Sequence, residues 1–146
     1  MRIAAVVLIE SPEGYLFLER YDYDRTISGL CLPGGKIDGS LYDCGIEDPH
    51  EAVIRETKEE CGIDLENENL IYKGLYFAEP IINKHYLINV FYCKLTHIPS
   101  IVLNTDEMKD FRWIKDPYYL SNHLYAGTTK YSIDLCLNGK TKVPQN

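Results

Sequence analysis

The stretch that decides the fold is Arg55-Glu56-Thr57-Lys58-Glu59-Glu60-Cys61-Gly62-Ile63. Its glutamates Glu56, Glu59 and Glu60 are spaced i, i+3 and i+4, which places side chains on one face of a helix. Like charges at this spacing repel, so the cluster destabilises a helix unless a cation lies among them. Mg²⁺ typically binds a few carboxylates together with substrate phosphates. The stretch therefore predicts half of a metal site, and the alternative is an acidic, solvated helix face.

The helix that carries this cluster has clear ends. Asp48 is a good N-cap, Pro49 suits the first helical position, and Glu51 completes a start that resembles a capping box. Gly62 is placed where a glycine ends a helix. At about 100° per residue, an apolar face separates from the acidic one. The residues predicted on this apolar face are Val53, Ile54, Thr57 and Cys61.

The segment before the helix has the composition of a ligand-binding turn. Leu32-Pro33-Gly34-Gly35-Lys36-Ile37-Asp38 leaves a short apolar strand through a Pro-Gly-Gly turn. Glycines there permit a strained backbone and a close approach to a ligand. Lys36 adds a positive charge suited to phosphate, although a solvated lysine is the simpler interpretation.

Taken together, these residues resemble the Nudix box, which has the pattern Gly-x5-Glu-x7-Arg-Glu-(apolar)-x-Glu-Glu-x-Gly-(apolar). Here Gly35 opens the pattern, Glu47 is the middle glutamate, and Arg55 to Ile63 complete it. Eleven residues separate Gly35 from Glu47 where the pattern has five, which indicates a loop insertion within 39–45 and makes the role of Glu47 uncertain. Thr57 also replaces a larger apolar residue, with its methyl group still able to face the core.

The resemblance implies an α+β fold, a Nudix α/β/α sandwich with a mixed β-sheet between helices. It also implies one domain over 1–146, with the box over about 35–63. The rest of the chain agrees with this order. We expect a final helix that is capped by Thr128 or Thr129 and ends at Asn138-Gly139, a short helix from Asp116-Pro117 toward Leu124, and a frayed tail over 140–146. The predicted strands are Ile3–Glu10, Tyr15–Arg20, Leu30–Leu32, Leu70–Ala78, His85–Leu95 and Asp110–Ile114.

The resemblance also implies roles for individual residues. Arg55 would orient Glu56, which would act as, or support, the general base; a plain surface pair between Arg55 and Glu59 is the alternative. Lys36 and Gly35 would meet the substrate phosphates. Mg²⁺ is the implied cofactor, with Mn²⁺ able to replace it. The implied metal ligands are Glu56, Glu59, Glu60 and the carbonyl of Gly34, and Glu56 and Glu59 are counted with Arg55 as catalytic.

A second acidic segment, Asp106-Glu107, precedes the strand that contains the only tryptophan, Trp113. Many Nudix enzymes carry a glutamate here that reaches the metal or acts as base, and Glu107 resembles it; a solvated loop acid is the alternative. We expect Trp113 to lie in the core rather than to stack on a base.

Composition limits the class of partner. The formal net charge is −7, which argues against an extended nucleic-acid-binding surface but not against a single nucleotide bound through a metal. Five scattered cysteines without a CxxC pair indicate a reducing, cytoplasmic location, and no segment is long and apolar enough to span a membrane. We expect a small nucleotide as partner and a monomer or homodimer.

The expected reaction is attack of water on a diphosphate linkage in a nucleoside diphosphate derivative. Within the family, the chain most resembles the MutT-type nucleoside triphosphate pyrophosphohydrolases. Hydrolases of ADP-ribose, nucleotide sugars or dinucleoside polyphosphates are the alternatives within the enzyme class. A catalytically silent nucleotide-binding module on the same fold is the alternative outside it.

Overall fold

A computed structural model describes residues 2–21, 29–38, 45–81, 84–121 and 124–138. The helices are α1 (Pro49–Cys61) and α2 (Thr129–Asn138), with a 3₁₀ turn at Pro117–Tyr119. None of the helices in these ranges is long and apolar enough to cross a bilayer. The strands are β1 (Arg2–Ser11), β2 (Gly14–Arg20), β3 (Leu30–Cys31), β4 (Gly34–Lys36), β5 (Ile71–Ile81), β6 (Lys84–Lys94) and β7 (Met108–Ile114).

The strands form one mixed sheet in which β1 changes partner along its length. The order is β3-β2-β1-β6-β5, with β4 also paired to β1 and β7 also paired to β2. At its end β1 forms a hairpin with β2, where Ser11 lies opposite Gly14. Nearer its start β1 pairs instead with β4, where Val6 lies opposite Gly34, while β6 runs parallel to β1 throughout. The short strand β4 is thereby held beside the first half of β1.

Alternation along the central strands fills a core on each face of the sheet. In β1, Ala5, Val7 and Ile9 face the α1 side and Leu8 faces the α2 side. Such alternation is what a sheet covered on both faces by helices requires. Trp113 packs against the α1-side core, which confirms its expected place. The predicted α/β/α sandwich is therefore confirmed.

Helix α1 begins and ends where the sequence predicts. The Asp48 carboxylate accepts the His50 N–H at 2.8 Å, and Gly62 adopts φ +76° as its N–H donates to the Lys58 carbonyl. The predicted apolar face differs in one detail, because Ala52 is fully buried and Ile54 only partly buried.

One predicted helix is wrong. Asp116 accepts the Tyr118 N–H at 3.0 Å and starts only the 3₁₀ turn, since Leu120 has an extended backbone (φ −85°, ψ 147°). The Pro-Gly-Gly segment also differs, because Gly34–Lys36 is a strand that gains its hydrogen bonds from β1. The predicted insertion, except for Gly45, and the predicted tail, 140–146, lie outside the described residues.

Candidate active site

Arg55 joins the glutamates of the box into one network. Its Nη1 donates to Glu56 Oε1 at 2.9 Å and lies 3.3 Å from Glu59 Oε2. On its other side Nε donates to Glu47 Oε2 at 2.9 Å and Nη2 to Glu47 Oε1 at 3.0 Å. Such a two-pronged pair fixes the plane of the guanidinium group. Arg55 is therefore held by Glu47 and in turn holds Glu56.

Glu47 keeps this position although a long insertion precedes it. The Glu47 N–H donates to the Asp38 carbonyl at 2.9 Å, and the Asp38 N–H donates to Glu47 Oε1 at 3.1 Å. These two bonds join the ends of the inserted loop, so the extra residues leave the pairing of Glu47 with Arg55 intact. The Arg55 side chain holds the pKa of the Glu47 carboxyl below its ordinary value, mainly by donating hydrogen bonds to the carboxylate.

Glu60 is the buried member of the acidic cluster, with its side chain only 1% exposed. The Gly34 N–H donates to Oε1 at 2.7 Å, and Arg20 Nη2 donates to Oε2 at 3.1 Å. Burial nevertheless raises the pKa of Glu60 to about 8, and the charges of Glu56 and Glu107 act in the same direction. Without a further cation, the Glu60 carboxyl is therefore mostly protonated at neutral pH.

The paired glycines of the box lie against these carboxylates. Gly34 has φ +145°, and a Cβ there would stand 2.1 Å from the Ala5 carbonyl oxygen, so a side chain is excluded. A Cβ on Gly35 would stand 2.7 Å from the Glu56 carboxyl carbon. Gly35 therefore leaves the space that the Glu56 carboxylate occupies, while the expected approach of Gly35 to a ligand stays a prediction.

Most of the predicted site residues line a cavity of about 490 Å³. One part is lined by charged side chains, and another part is apolar with hydroxyl groups. Glu59 is not among the lining residues; its side chain is 55% exposed and faces Arg55. The box-side lining consists of Arg20, Gly34, Gly35, Lys36, Glu56, Glu60 and Glu107; the remainder includes Ala4, Val6, Cys31, Leu32, Tyr86, Ile88, Ala126, Gly127, Thr128, Thr129 and Ser132.

Three carboxylates, Glu56, Glu60 and Glu107, share this cavity with two cationic side chains. Burial, followed by the charges of Glu59 and Glu107, raises the pKa of Glu56 against the opposing effect of Arg55. Among the described residues, no three His, Cys, Asp or Glu side chains stand close enough together to hold a metal ion as they are. The donor chemistry nonetheless fits a hard divalent cation, which would relieve both the repulsion and the cost of burial.

Arg20 is a charged residue of the site that the sequence analysis did not identify. It is the last residue of β2, outside the box, and an alternating strand ending in Glu19-Arg20 gives no sign of a buried partner. The available signal was indirect, because a buried glutamate on α1 requires a cation from some other element.

Comparisons with known proteins agree with this geometry. The NUDIX domain family model matches residues 1–115. The MutT protein from Methanosarcina mazei Go1 has a similar structure, with a TM-score of 0.72, 24% identity and 95% of each chain covered. The E. coli dihydroneopterin triphosphate pyrophosphohydrolase has a TM-score of 0.71 and 19% identity, covering 94% of this chain and 96% of that one. A C. elegans Ap4A hydrolase has a TM-score of 0.69 and 22% identity, covering 96% of this chain and all (100%) of that one.

Comparison with curated protein sequences gives no match. The structural likenesses, all below 25% identity, bear on the fold. The family model covers well over half of the chain and includes every box residue discussed above. The chain therefore belongs to the NUDIX domain family and is a hydrolase of pyrophosphate bonds.

Proposed function

We propose that the protein is a Mg²⁺-dependent nucleoside triphosphate pyrophosphohydrolase of the MutT type. The observation that carries this proposal is the shared cavity in which the carboxylates of Glu56, Glu60 and Glu107 meet the cations Arg20 and Lys36. Acidic groups suit a divalent cation, and Lys36 beside them suits the phosphate oxygens of a nucleotide.

The metal would be held by oxygen ligands from the box. We assign Glu56, Glu59, Glu60 and the Gly34 carbonyl as these ligands. Glu59 lies outside the cavity lining, so its half-exposed side chain would have to turn away from Arg55 to reach the metal. When bound, Mg²⁺ neutralises phosphate oxygens and lowers the pKa of a coordinated water, and Mn²⁺ supplies the same chemistry.

The remaining groups position the reactants. Arg55 fixes Glu56 at 2.9 Å, and Glu56 removes the proton from the attacking water or assists in its removal. Glu107, exposed and on the cavity lining, is the second candidate for the base. Lys36 and the Gly35 backbone meet the phosphates, where positive charge stabilises the leaving group.

The rest of the cavity supports a nucleoside as the other part of the substrate. Its lining is apolar at Val6, Leu32 and Ile88, with hydroxyl groups at Thr128 and Ser132. Such a lining suits an uncharged ring system next to a charged phosphate chain. The name of the E. coli relative favours a triphosphate substrate, whereas the name of the C. elegans relative favours a dinucleoside polyphosphate. ADP-ribose and nucleotide sugars are competing substrate classes that the assay below separates from these two.

A catalytically silent binding module is the alternative from another class. We place it second because the box keeps Glu56, Glu59 and Glu60, and because a 2.9 Å pair with Arg55 orients Glu56, which supports a catalytic role for it. A module that only binds nucleotides has no need for this pairing.

The test is a panel of diphosphate compounds assayed for phosphate or pyrophosphate release with Mg²⁺ at slightly alkaline pH. It includes unmodified and oxidised dNTPs, ADP-ribose, nucleotide sugars, diadenosine polyphosphates and triphosphorylated RNA. Glu60→Gln is the inactive variant, and Glu51→Gln on the exposed side of the same helix is its matched control. We expect dNTPs to be hydrolysed by the wild type and by Glu51→Gln only. No turnover of any compound by folded wild type would favour the binding module.

A further inference from the structure

Arg20 reaches the site by the regular alternation of side chains along β2. Leu16 and Leu18 face the α1 side of the sheet, and Arg20, two residues further on, lies on the same face. The register with β7 shifts after Glu19, so that Arg20 lies opposite Met108 and the extra residue is on β7. Arg20 thereby lines the cavity, although it lies outside the Nudix box in the sequence.

The contact that Arg20 makes is with the most deeply buried acid of the site. Glu60 is 1% exposed, whereas the side chain of Arg20 is 34% exposed and so keeps contact with solvent. A buried carboxylate that loses its counter-charge either takes up a proton or turns toward solvent. Arg20 provides that counter-charge from a separate strand, at 3.1 Å.

The two partners of Glu60 act on different oxygens. The Gly34 N–H binds Oε1 and Arg20 binds Oε2, so together they fix the rotation of the carboxylate. Removing Arg20 would leave one hydrogen bond, about which the group can turn. Groups that orient metal ligands in this way have a large influence on metal affinity without touching the metal.

We infer that Arg20 is a positioning residue that holds Glu60 in the orientation in which it binds the divalent cation. This inference rests on the proposed function, because it takes Glu60 as a metal ligand. It adds a residue from β2 to a site otherwise formed by the box and Glu107. Arg20 acts on the metal only through Glu60, so its loss should change metal affinity while the rest of the site remains in place.

The test measures Mn²⁺ affinity by electron paramagnetic resonance, without substrate, in wild type, Arg20→Met and Arg20→Lys. The control is Arg112→Met, which removes an exposed arginine of β7 that lies 4.0 Å from Glu19. We expect Arg20→Met to bind Mn²⁺ about 10-fold to 100-fold more weakly. Arg20→Lys should recover part of that loss, and Arg112→Met should match wild type. In activity assays, the Mg²⁺ concentration for half-maximal rate should rise in Arg20→Met, and a merely structural role would not produce this change.

The outcomes separate the two proposals. If wild type binds no Mn²⁺, the proposed function fails. If wild type binds Mn²⁺ and folded Arg20→Met binds it equally well or more tightly, the inference about Arg20 fails, and tighter binding would identify Arg20 as a competitor of the metal. If Arg20→Met does not fold, the Mn²⁺ affinities of Arg20→Lys and Arg112→Lys test the inference instead. Weaker binding by Arg20→Lys alone supports the inference, and equal binding by both overturns it.

Discussion

Gly35 offers a perturbation that should damage catalysis while sparing the fold. Its φ lies outside the left-handed region, so alanine fits the backbone. The added Cβ would stand 2.7 Å from the Glu56 carboxyl carbon and 2.8 Å from Oε2, where ordinary contact begins at 3.4 Å. The carboxylate must therefore retreat by at least 0.7 Å (3.4 − 2.7). Because the carboxylate is the end of the flexible Glu56 side chain, this movement should have little effect on folding.

This displacement of the Glu56 carboxylate should slow catalysis. Displacement of a reacting group by about 1 Å can lower a rate by about 100-fold, so we expect kcat to fall by about 10-fold to 100-fold in Gly35→Ala. Each tenfold corresponds to about 1.4 kcal/mol of activation free energy. The free energy of unfolding should change by less than about 1 kcal/mol.

Two neighbouring glycines supply the controls for this experiment. A Cβ on Gly45 would have no atom of the described residues within 4 Å, so Gly45→Ala should leave kcat and stability unchanged. Gly34→Ala should destabilise the fold, since its Cβ would meet the Ala5 carbonyl oxygen at 2.1 Å at a φ of +145°. The assays are steady-state kinetics with the best substrate of the panel and urea unfolding. Wild-type kcat in folded Gly35→Ala would refute the assigned contact between Gly35 and Glu56.

Three further predictions follow from the same contacts. Thr57→Val should raise the free energy of unfolding by about 1–2 kcal/mol in urea, because the buried Thr57 hydroxyl has no hydrogen-bond partner among the described residues; a lower stability would contradict this. Glu47→Gln should lower kcat by about 10-fold with little effect on KM, because Arg55 loses the carboxylate that fixes it in a two-pronged pair; unchanged kcat would show that Glu56 needs no such support. In a metal-free buffer with chelator, Glu60 should make stability depend on pH. Its folded pKa of about 8 exceeds the ordinary 4.5, so the folded state binds the extra proton and stability falls as pH rises between these values. The fall should be at most about 5 kcal/mol and absent from Glu60→Gln; equal pH slopes in the two proteins would contradict it.

The fold could be predicted because local and periodic signals agreed. An apolar run rich in β-branched residues located β1, and alternating residues located β2. Asp48 and Gly62 fixed the ends of α1. Strand β4 was not predicted, because a segment beginning Gly34-Gly35 has no strand propensity and is extended only through its pairing with β1. The helix expected after Asp116 failed for a related reason, since a cap and a proline start a turn but do not extend it.

The site was only partly predictable for a reason of geometry. Glu59 and Glu60 are adjacent in sequence, yet one side chain is 55% exposed and the other 1%. Successive residues of a helix point about 100° apart, so their difference depends on which elements cover α1. Arg20 was not identified because its partner is 40 residues away in the sequence, on a different element. Such pairings depend on tertiary structure and leave no local pattern.

The most direct test of the account is a calorimetric titration of Mg²⁺ into wild type, Glu60→Gln and Glu51→Gln. The central claim is that the carboxylates of the cavity form a divalent-cation site, with Glu60 as a ligand. The account predicts saturable binding by wild type and Glu51→Gln, and binding weakened by about 10-fold or more in Glu60→Gln. Equal affinity in all three proteins would contradict the assignment of Glu60 as a metal ligand.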